Sequence, residues 1–147
     1  MGGSPSTVTE QEGFAFWAIS PFEPRALYYE TMDFLLYLQE DVPYRADRID
    51  QFLTLLWHPH EDRAIGVKIK GFRVLFDRVR AILNTKNINV SDGFVPFVTA
   101  IEVAFTAGLG AMITLDAERK RLEESYETAR TLVRSVEFDA GPLGIAV

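Results

Sequence analysis

The hydrophobic period of this chain changes from two to 3.6 around Gly71, and this change constrains the fold more than any other feature. Ile65, Val67 and Ile69 alternate with small or charged residues, which is typical of a strand with one buried face. Beyond Gly71 the apolar residues recur every three or four positions, as in an amphipathic helix. We therefore expect a strand that leads directly into a helix lying on the apolar face of the sheet. The helical stripe consists of Phe72, Leu75, Phe76, Val79, Ile82 and Leu83.

Two apolar segments precede this strand. Phe34–Leu38 is apolar at every position, and Gln51–Trp57 is rich in leucine and aromatic residues, so both should be covered on two faces or lie at a subunit contact. A shorter segment, Ala26–Tyr29, suits an edge strand. Together they predict an antiparallel meander of three or four strands. The connecting segments, which contain turn-forming and charged residues, are Glu30–Asp33, Glu40–Arg48 and His58–Asp62.

Residues 93–115 contain a single ionisable side chain, that of Glu102. We expect a buried helix from Asp92 to about residue 107, broken at Gly108 and Gly110. The alternative is a membrane-associated protein, because the run is long enough to span a bilayer. Glu102 opposes that alternative, since a carboxylate at the centre of a membrane helix is costly. Membrane association is therefore not expected.

Thr99, Glu102 and Thr106 are spaced by three and four residues, so they share one stripe of this helix. An unpaired carboxylate is costly to bury, so Glu102 must reach solvent or meet a basic partner. We expect the stripe to be the exposed edge of the helix.

A last amphipathic helix is predicted from Thr114 or Asp116 to Val136. The predicted fold class is α+β, with the meander packed by an amphipathic helix and followed by two further helices.

The predicted domain organisation is a flexible tail at residues 1–13, one α+β domain at residues 14–139, and a flexible tail at residues 140–147. Residues 14–22 carry four aromatic side chains and should form an extended segment that lies over the core and is kept extended by Pro21 and Pro24.

The chain has no cysteine, which excludes disulfides, thiolate metal sites and a cysteine nucleophile. A cytoplasmic location is expected.

Charge is distributed unevenly along the chain. The net charge is −8 over residues 1–62, +6 over residues 63–86 and −4 over residues 87–147. The basic segment could form an anion-binding patch, or its side chains could pair with acids of the 40–50 link and of the last helix. The second interpretation is preferred because the sequence pI is about 4.9, so no specific nucleic-acid binding is expected. The candidate patch consists of Lys68, Lys70, Arg73, Arg78 and Arg80.

His58 and His60 are the chain's two histidines, and both fall in the acidic connection before residue 65. On a continuing strand they would face one side and, with Glu61 or Asp62, could bind zinc. Because no third histidine exists, an exposed hairpin turn without a metal is the preferred interpretation. No phosphate-binding loop, catalytic-serine motif or calcium loop is present in the sequence, so no cofactor is expected.

Residues 27–76 resemble a short, widespread and uncharacterised bacterial β-meander family. The resemblance rests on Tyr29-Glu30, Leu36-Tyr37-Leu38, Glu61-Asp62 and Ile65-Gly66-Val67-x-Ile69. Some members of that family are encoded beside toxin genes, so the resemblance implies an antitoxin-like role and no catalytic residues. Phe34 stands at the family's second Asp position, and Lys68 replaces the usual acid.

The sequence thus favours a non-enzymatic interaction or regulatory protein that associates with itself and with a protein partner. The two-sided apolar strand Phe34–Leu38 carries this expectation, because one layer of helices covers only one face of a sheet. The alternative is a metal- or anion-binding protein, or an enzyme, that uses the turn at His58 and His60 or the basic segment 63–86.

Overall fold

Seven strands and three helices form the part of the chain that the computed structural model describes, residues 22–85, 93–110 and 116–143. In chain order the elements are β1 (Arg25–Tyr29), β2 (Phe34–Leu38), β3 (Arg45–Arg48), β4 (Leu53–Trp57), β5 (Ala64–Lys70), α1 (Phe72–Thr85), β6 (Phe94–Pro96), α2 (Phe97–Gly110), α3 (Asp116–Leu132) and β7 (Glu137–Asp139). All strands belong to one sheet of order β3-β4-β5-β2-β1-β7-β6. The α+β class is confirmed.

The predicted strands form two hairpins that join in the middle of the sheet. β1 pairs with β2, β4 pairs with β5, and β5 rather than β4 lies beside β2. All pairs are antiparallel except β1 with β7, which is parallel through Ala26 and Phe138. The prediction that Ala26–Tyr29 is an edge strand is therefore wrong, because β7 returns from the C-terminal part of the chain to cover that edge.

All three helices pack on one face of the sheet and form a single hydrophobic core with it. α1 buries the predicted stripe, with Ile82 only partly buried. α3 lies over β4 and β5 through Leu122, Tyr126 and Ala129, and α2 lies between the other two helices. On the strands, the inward residues include Leu35, Val67 and others at alternate positions, as the period of two requires.

Three short strands were not predicted. β3 lies within the expected Glu40–Arg48 link, and its four residues are all exposed. β6 occupies positions that were expected to begin a helix, because the chain pairs with β7 before α2 begins at Phe97. The last helix ends at Leu132 rather than Val136, since a turn at residues 133–135 leads the chain into β7, which begins at Glu137. In the expected C-terminal tail, Gly141–Leu143 forms one turn of 3-10 helix, and residues 144–147 lie outside the described residues.

The expected break in the second helix is wrong at Gly108, whereas Gly110 is the last residue of the helix. α2 runs through Gly108 and ends at Gly110. A Cβ at Gly108 would lie 2.9 Å from the Asp50 carboxylate, so this glycine permits a close contact between α2 and the turn before β4. In the described residues no helix is both long and apolar enough to cross a membrane, and α2 has 14 residues. The predicted N-cap, Ser91 or Asp92, and residues 111–115 lie outside the described residues.

Asp33, in the turn between β1 and β2, is hydrogen-bonded to the start of α1. Its backbone is left-handed (φ 53°), which aspartate tolerates, and its carboxylate accepts hydrogen bonds from the Tyr28 hydroxyl at 2.7 Å and the Arg73 amide at 2.9 Å. The amide of Gly71, also left-handed, donates to the Asp33 carbonyl oxygen. Asp33 therefore caps α1 from a distant turn, as a local N-cap would.

Asp50 joins the turn between β3 and β4 to α3. Its Oδ1 accepts hydrogen bonds from the amides of Phe52 and Leu53, at 2.9 and 2.8 Å. Its Oδ2 accepts one from the hydroxyl of Tyr126 at 2.7 Å. Tyr126 is fully buried, so burial and then the Asp50 carboxylate raise the pKa of its hydroxyl.

Glu102 reaches the surface and also meets a basic partner. Both oxygens of its carboxylate accept from the Arg130 guanidinium, at 2.7 and 3.1 Å, which ties α2 to α3. Thr106 lies on the exposed edge as predicted, whereas Thr99 is 7% exposed. The expected three-residue exposed stripe is therefore wrong at Thr99, because that end of α2 lies within the core.

We expect Tyr126→Phe to lower the free energy of unfolding by about 1–3 kcal/mol, because the variant leaves an oxygen of the partly buried Asp50 carboxylate without its donor. Urea denaturation would measure the change. Tyr44→Phe, which alters a tyrosine that is 45% exposed, is the matched control and should be nearly neutral. Equal effects of the two substitutions would contradict the role given to the Asp50–Tyr126 hydrogen bond.

We also expect stability to fall at alkaline pH. Burial raises the pKa of Tyr28, Tyr37 and Tyr126, so the native state retains hydroxyl protons that the unfolded chain releases near pH 10. This contribution is present below about pH 10 and is lost as the pH rises above it. Titration of tyrosinate absorbance should be incomplete at about pH 11 in the native protein and complete in urea. Coinciding native and unfolded titration curves would contradict this expectation.

Candidate interaction surface

The face of the sheet opposite the helices, here called the outer face, is apolar at its centre. Alternation along the strands directs the side chains of Phe34, Leu36 and Leu38 on β2 to this face, next to Leu27 and Tyr29 on β1. Leu27 and Tyr29 are 43% and 41% exposed, and the three β2 side chains are partly exposed. The second face of β2 is thus as apolar as predicted, and the helices do not cover it.

A groove of about 230 Å³ crosses this apolar centre. Its lining consists of the apolar or aromatic side chains of Phe22, Leu27, Tyr29, Leu36 and Leu38 and the charged side chains of Glu23 and Arg25. Gly66 lies next to Leu38 in the adjacent strand, and a Cβ there would come within 2.7 Å of the Tyr37 carbonyl oxygen and 3.1 Å of the Leu38 side chain. Glycine at this position lets the side chains of Leu38 and Leu56 approach the backbone of β5 closely.

Charged side chains flank the apolar centre, with opposite signs on its two sides. Lys68 on β5 lies directly beside Leu36, and its ammonium lies 4.2 Å from the centre of the Phe34 ring. On the other side, Glu137 and Asp139 flank the inward-facing Phe138 on β7, so both point to the outer face. The outer face therefore has a basic side at β5 and an acidic side at β7.

The five candidate anion-binding residues do not converge. Lys68 and Lys70 lie on the outer face, whereas Arg73, Arg78 and Arg80 lie on α1, on the helical side of the sheet. Arg73 lies over the ring of Tyr28, and Arg80 lies over the ring of Phe76 and pairs with Asp77. In the acidic link, Glu40 instead pairs with Arg63, which also pairs with Glu61 and holds the carboxyl pKa of both acids down.

The histidine turn is held together by His58. Its Nδ1 accepts hydrogen bonds from the amides of His60 and Glu61, both at 3.1 Å, and its side chain is only 14% exposed. His58 is therefore a structural acceptor inside the turn rather than an exposed residue, whereas His60 is exposed. Among residues 22–85, 93–110 and 116–143, no three His, Asp or Glu side chains are arranged to hold a metal ion.

A second cleft, of about 400 Å³, lies between β3 and α3. Asp47, Arg48, Glu118 and Arg121 line it, so it presents both signs of charge within one small space. Such a lining does not select an anion or a cation. The apolar outer face is therefore the better candidate for a binding surface.

Comparisons with models of known protein families, with curated proteins and with solved structures found no match to this chain. The resemblance of residues 27–76 to the bacterial β-meander family stays a prediction. The surface described above consequently rests on the geometry of this chain alone.

Asp139 is the residue of this surface that the sequence analysis missed. The polar, apolar, polar order of Glu137, Phe138 and Asp139 is the signature of a half-buried strand, and it could have indicated β7. Three residues carry that signal only weakly, because helices and turns produce the same order by chance.

We expect His58→Ala to lower the free energy of unfolding by about 1 kcal/mol, because two backbone amides lose their acceptor, while His60→Ala should change it by less than about 0.5 kcal/mol. His58→Asn is the matched control, since an asparagine side-chain oxygen can accept similar bonds in a turn and should restore part of the loss. Urea denaturation of the three variants measures this order. Equal losses for His58→Ala and His60→Ala would refute the acceptor role.

Proposed function

We propose that this protein is a non-enzymatic protein–protein interaction module that associates with itself through the outer face of its sheet. The observation that carries the proposal is the apolar centre on β1 and β2, which none of the three described helices covers. Antiparallel sheets that face water on one side usually alternate apolar and polar residues, and this face breaks that rule at Leu27, Leu36 and Leu38. An apolar patch of this kind marks an interaction site.

The edges of the sheet support a contact through the face rather than through strand addition. β3, one edge strand, is short and fully exposed, and carries Arg45, Asp47 and Arg48. β6, the other edge strand, has three residues and contains Pro96, which cannot donate a ladder hydrogen bond. Charges, proline and short length are the features by which edge strands avoid pairing with another sheet.

A second copy of the chain fits the surface because a two-fold interface joins identical patches. Two apolar sheet faces pack well against each other when their strands are roughly aligned. The proposal places this protein in the bacterial cytoplasm, and the antitoxin-like role implied by the family resemblance would add a protein partner. It requires no metal, cofactor or nucleic acid.

Sedimentation equilibrium at micromolar concentration tests the proposal. We expect a species of twice the 16.6 kDa chain mass. Leu27→Asp should weaken self-association by about tenfold or more, because the interface would bury an unpaired carboxylate. The matched control is Val74→Asp, which places the same charge on the exposed side of α1, where Val74 is 77% exposed, and should leave the mass unchanged.

A single 16.6 kDa species for the unmodified protein at these concentrations would overturn self-association. Circular dichroism of Leu27→Asp and Val74→Asp should match that of the parent chain, so that a change in mass reports on the interface. Equal dissociation by both variants would remove the outer face as the site of contact.

A further inference from the structure

We infer that the two copies meet about a two-fold axis that runs along the strands between β1 and β2, with Lys68 of each copy opposite Asp139 of the other. This inference rests on the proposed self-association and specifies its geometry. It is carried by the order of charges and leucines across one row of the sheet.

Strand register defines that row. Lys68 pairs with Leu36, and Leu36 pairs with Leu27, so these three side chains lie side by side on the outer face. The parallel pairing of Ala26 with Phe138 then places Asp139 next to Leu27. The row reads base, leucine, leucine, acid, with neighbours about 4.8 Å apart.

This row is complementary to itself when it is reversed. A rotation of 180° about an axis between β1 and β2 places Leu27 over Leu36 of the second copy and Lys68 over Asp139 of the second copy. The neighbouring row contains Tyr29 and Phe34, which exchange places in the same way and bring aromatic rings together. One operation therefore brings Leu27 to Leu36, Tyr29 to Phe34 and Lys68 to Asp139. In the remaining row it places Arg25 over Leu38 of the second copy.

The other simple two-fold axis in the plane of the interface runs across the strands, and charge disfavours it. It would place β5 over β5 of the second copy, so that Lys68 and Lys70 would face the same two lysines. Like charges across an interface suppress that arrangement. The charged sides of the outer face thus select the orientation, while the leucines and aromatic residues between them supply most of the affinity.

The surroundings of both charges allow the contact. Asp139 is exposed, and its Oδ1 accepts a hydrogen bond from the Gly141 amide at 2.8 Å, which fixes the orientation of the carboxylate. Lys68 is partly buried beside the Phe34 ring, which holds its stem on the outer face. Both groups are thus oriented toward the outer face before a second copy arrives.

The test uses two full-length variants, Lys68→Glu and Asp139→Lys, in sedimentation equilibrium at low salt. The first carries acids at both positions of the row and the second carries bases at both. Each should weaken self-association by about tenfold, because two attractive contacts become repulsive. An equimolar mixture of the two should associate about as tightly as the unmodified protein, as should the double variant Lys68→Glu/Asp139→Lys.

Recovery in the mixture separates electrostatic repulsion from misfolding, because a misfolded chain would not recover on mixing. Arg78→Glu is the matched control, since it makes the same charge change on the exposed side of α1 and should not alter self-association. If the unmodified protein is a monomer, the proposed function itself is wrong. If the protein is a dimer but neither the single variants nor the mixture behave as stated, only the inferred axis is wrong.

The same variants test a different occupant of the outer face, the chain's own aromatic segment 14–21. In a Trp57→Phe background Trp17 is the one remaining tryptophan. A red shift of its emission in Leu27→Asp, with a mass of 16.6 kDa at every concentration, would assign the surface to that segment and overturn the second copy. An emission that follows the dimer concentration, or does not respond to Leu27→Asp, supports the second copy.

Discussion

The carboxylate of Asp50 connects parts of the chain that are far apart in sequence, and the position of the helical layer depends on it. One oxygen completes the turn that starts β4, and the other accepts the hydroxyl of Tyr126 in the middle of α3. Gly108 brings α2 against the same carboxylate, since any side chain there would collide with it. A buried tyrosine is costly without a hydrogen-bond partner, so Asp50 fixes the position at which α3 crosses the sheet.

Asp33 has the corresponding role at the other side of the sheet, where it caps α1 and receives the hydroxyl of Tyr28. The two aspartates anchor the first and last helices, and the Glu102–Arg130 pair joins α2 to α3 between them. Every anchor lies on the helical side. The consequence is a sheet whose two faces differ, because the three described helices cover only one of them.

The elements that the sequence predicts well are those whose pattern is local. The alternation in β5 and the stripe of α1 are set by residues a few positions apart, and both predictions are confirmed. β3, β6 and β7 have three or four residues each, too few for a period to emerge, and β6 contains a proline. The hydrogen bond from Tyr126 to Asp50 joins residues 76 positions apart, so no local pattern could indicate it.

The candidate surface likewise has one feature that a local sequence pattern indicates and one that depends on residues far apart in the chain. The apolar character of both faces of β2 is readable from Phe34–Leu38, because five consecutive apolar residues cannot all face one side of a strand. The acidic side of the surface is not readable, because Asp139 reaches it through a parallel pairing between Ala26 and Phe138 that is set by the packing of the whole domain. The basic residues were predicted as a group, and the structure divides them between the two sides of the sheet.

The strands of the one sheet differ in the polarity of their outward positions, and this difference bears on where the proposed interface would lie. On β5 the outer positions hold Gly66, Lys68 and Lys70, so this strand obeys the rule that a water-facing side is polar or small. β3 obeys it too, whereas β1 and β2 place leucine and aromatic side chains at every equivalent position except that of Arg25. On the other strands the outward apolar residues include Leu56 of β4, which is buried, and Phe94 of β6, which is exposed. On β1 and β2 the outward Leu27, Tyr29, Phe34, Leu36 and Leu38 are adjacent to one another, with Lys68 on one side and Asp139 on the other. That arrangement suits the proposed contact with the sheet of a second copy.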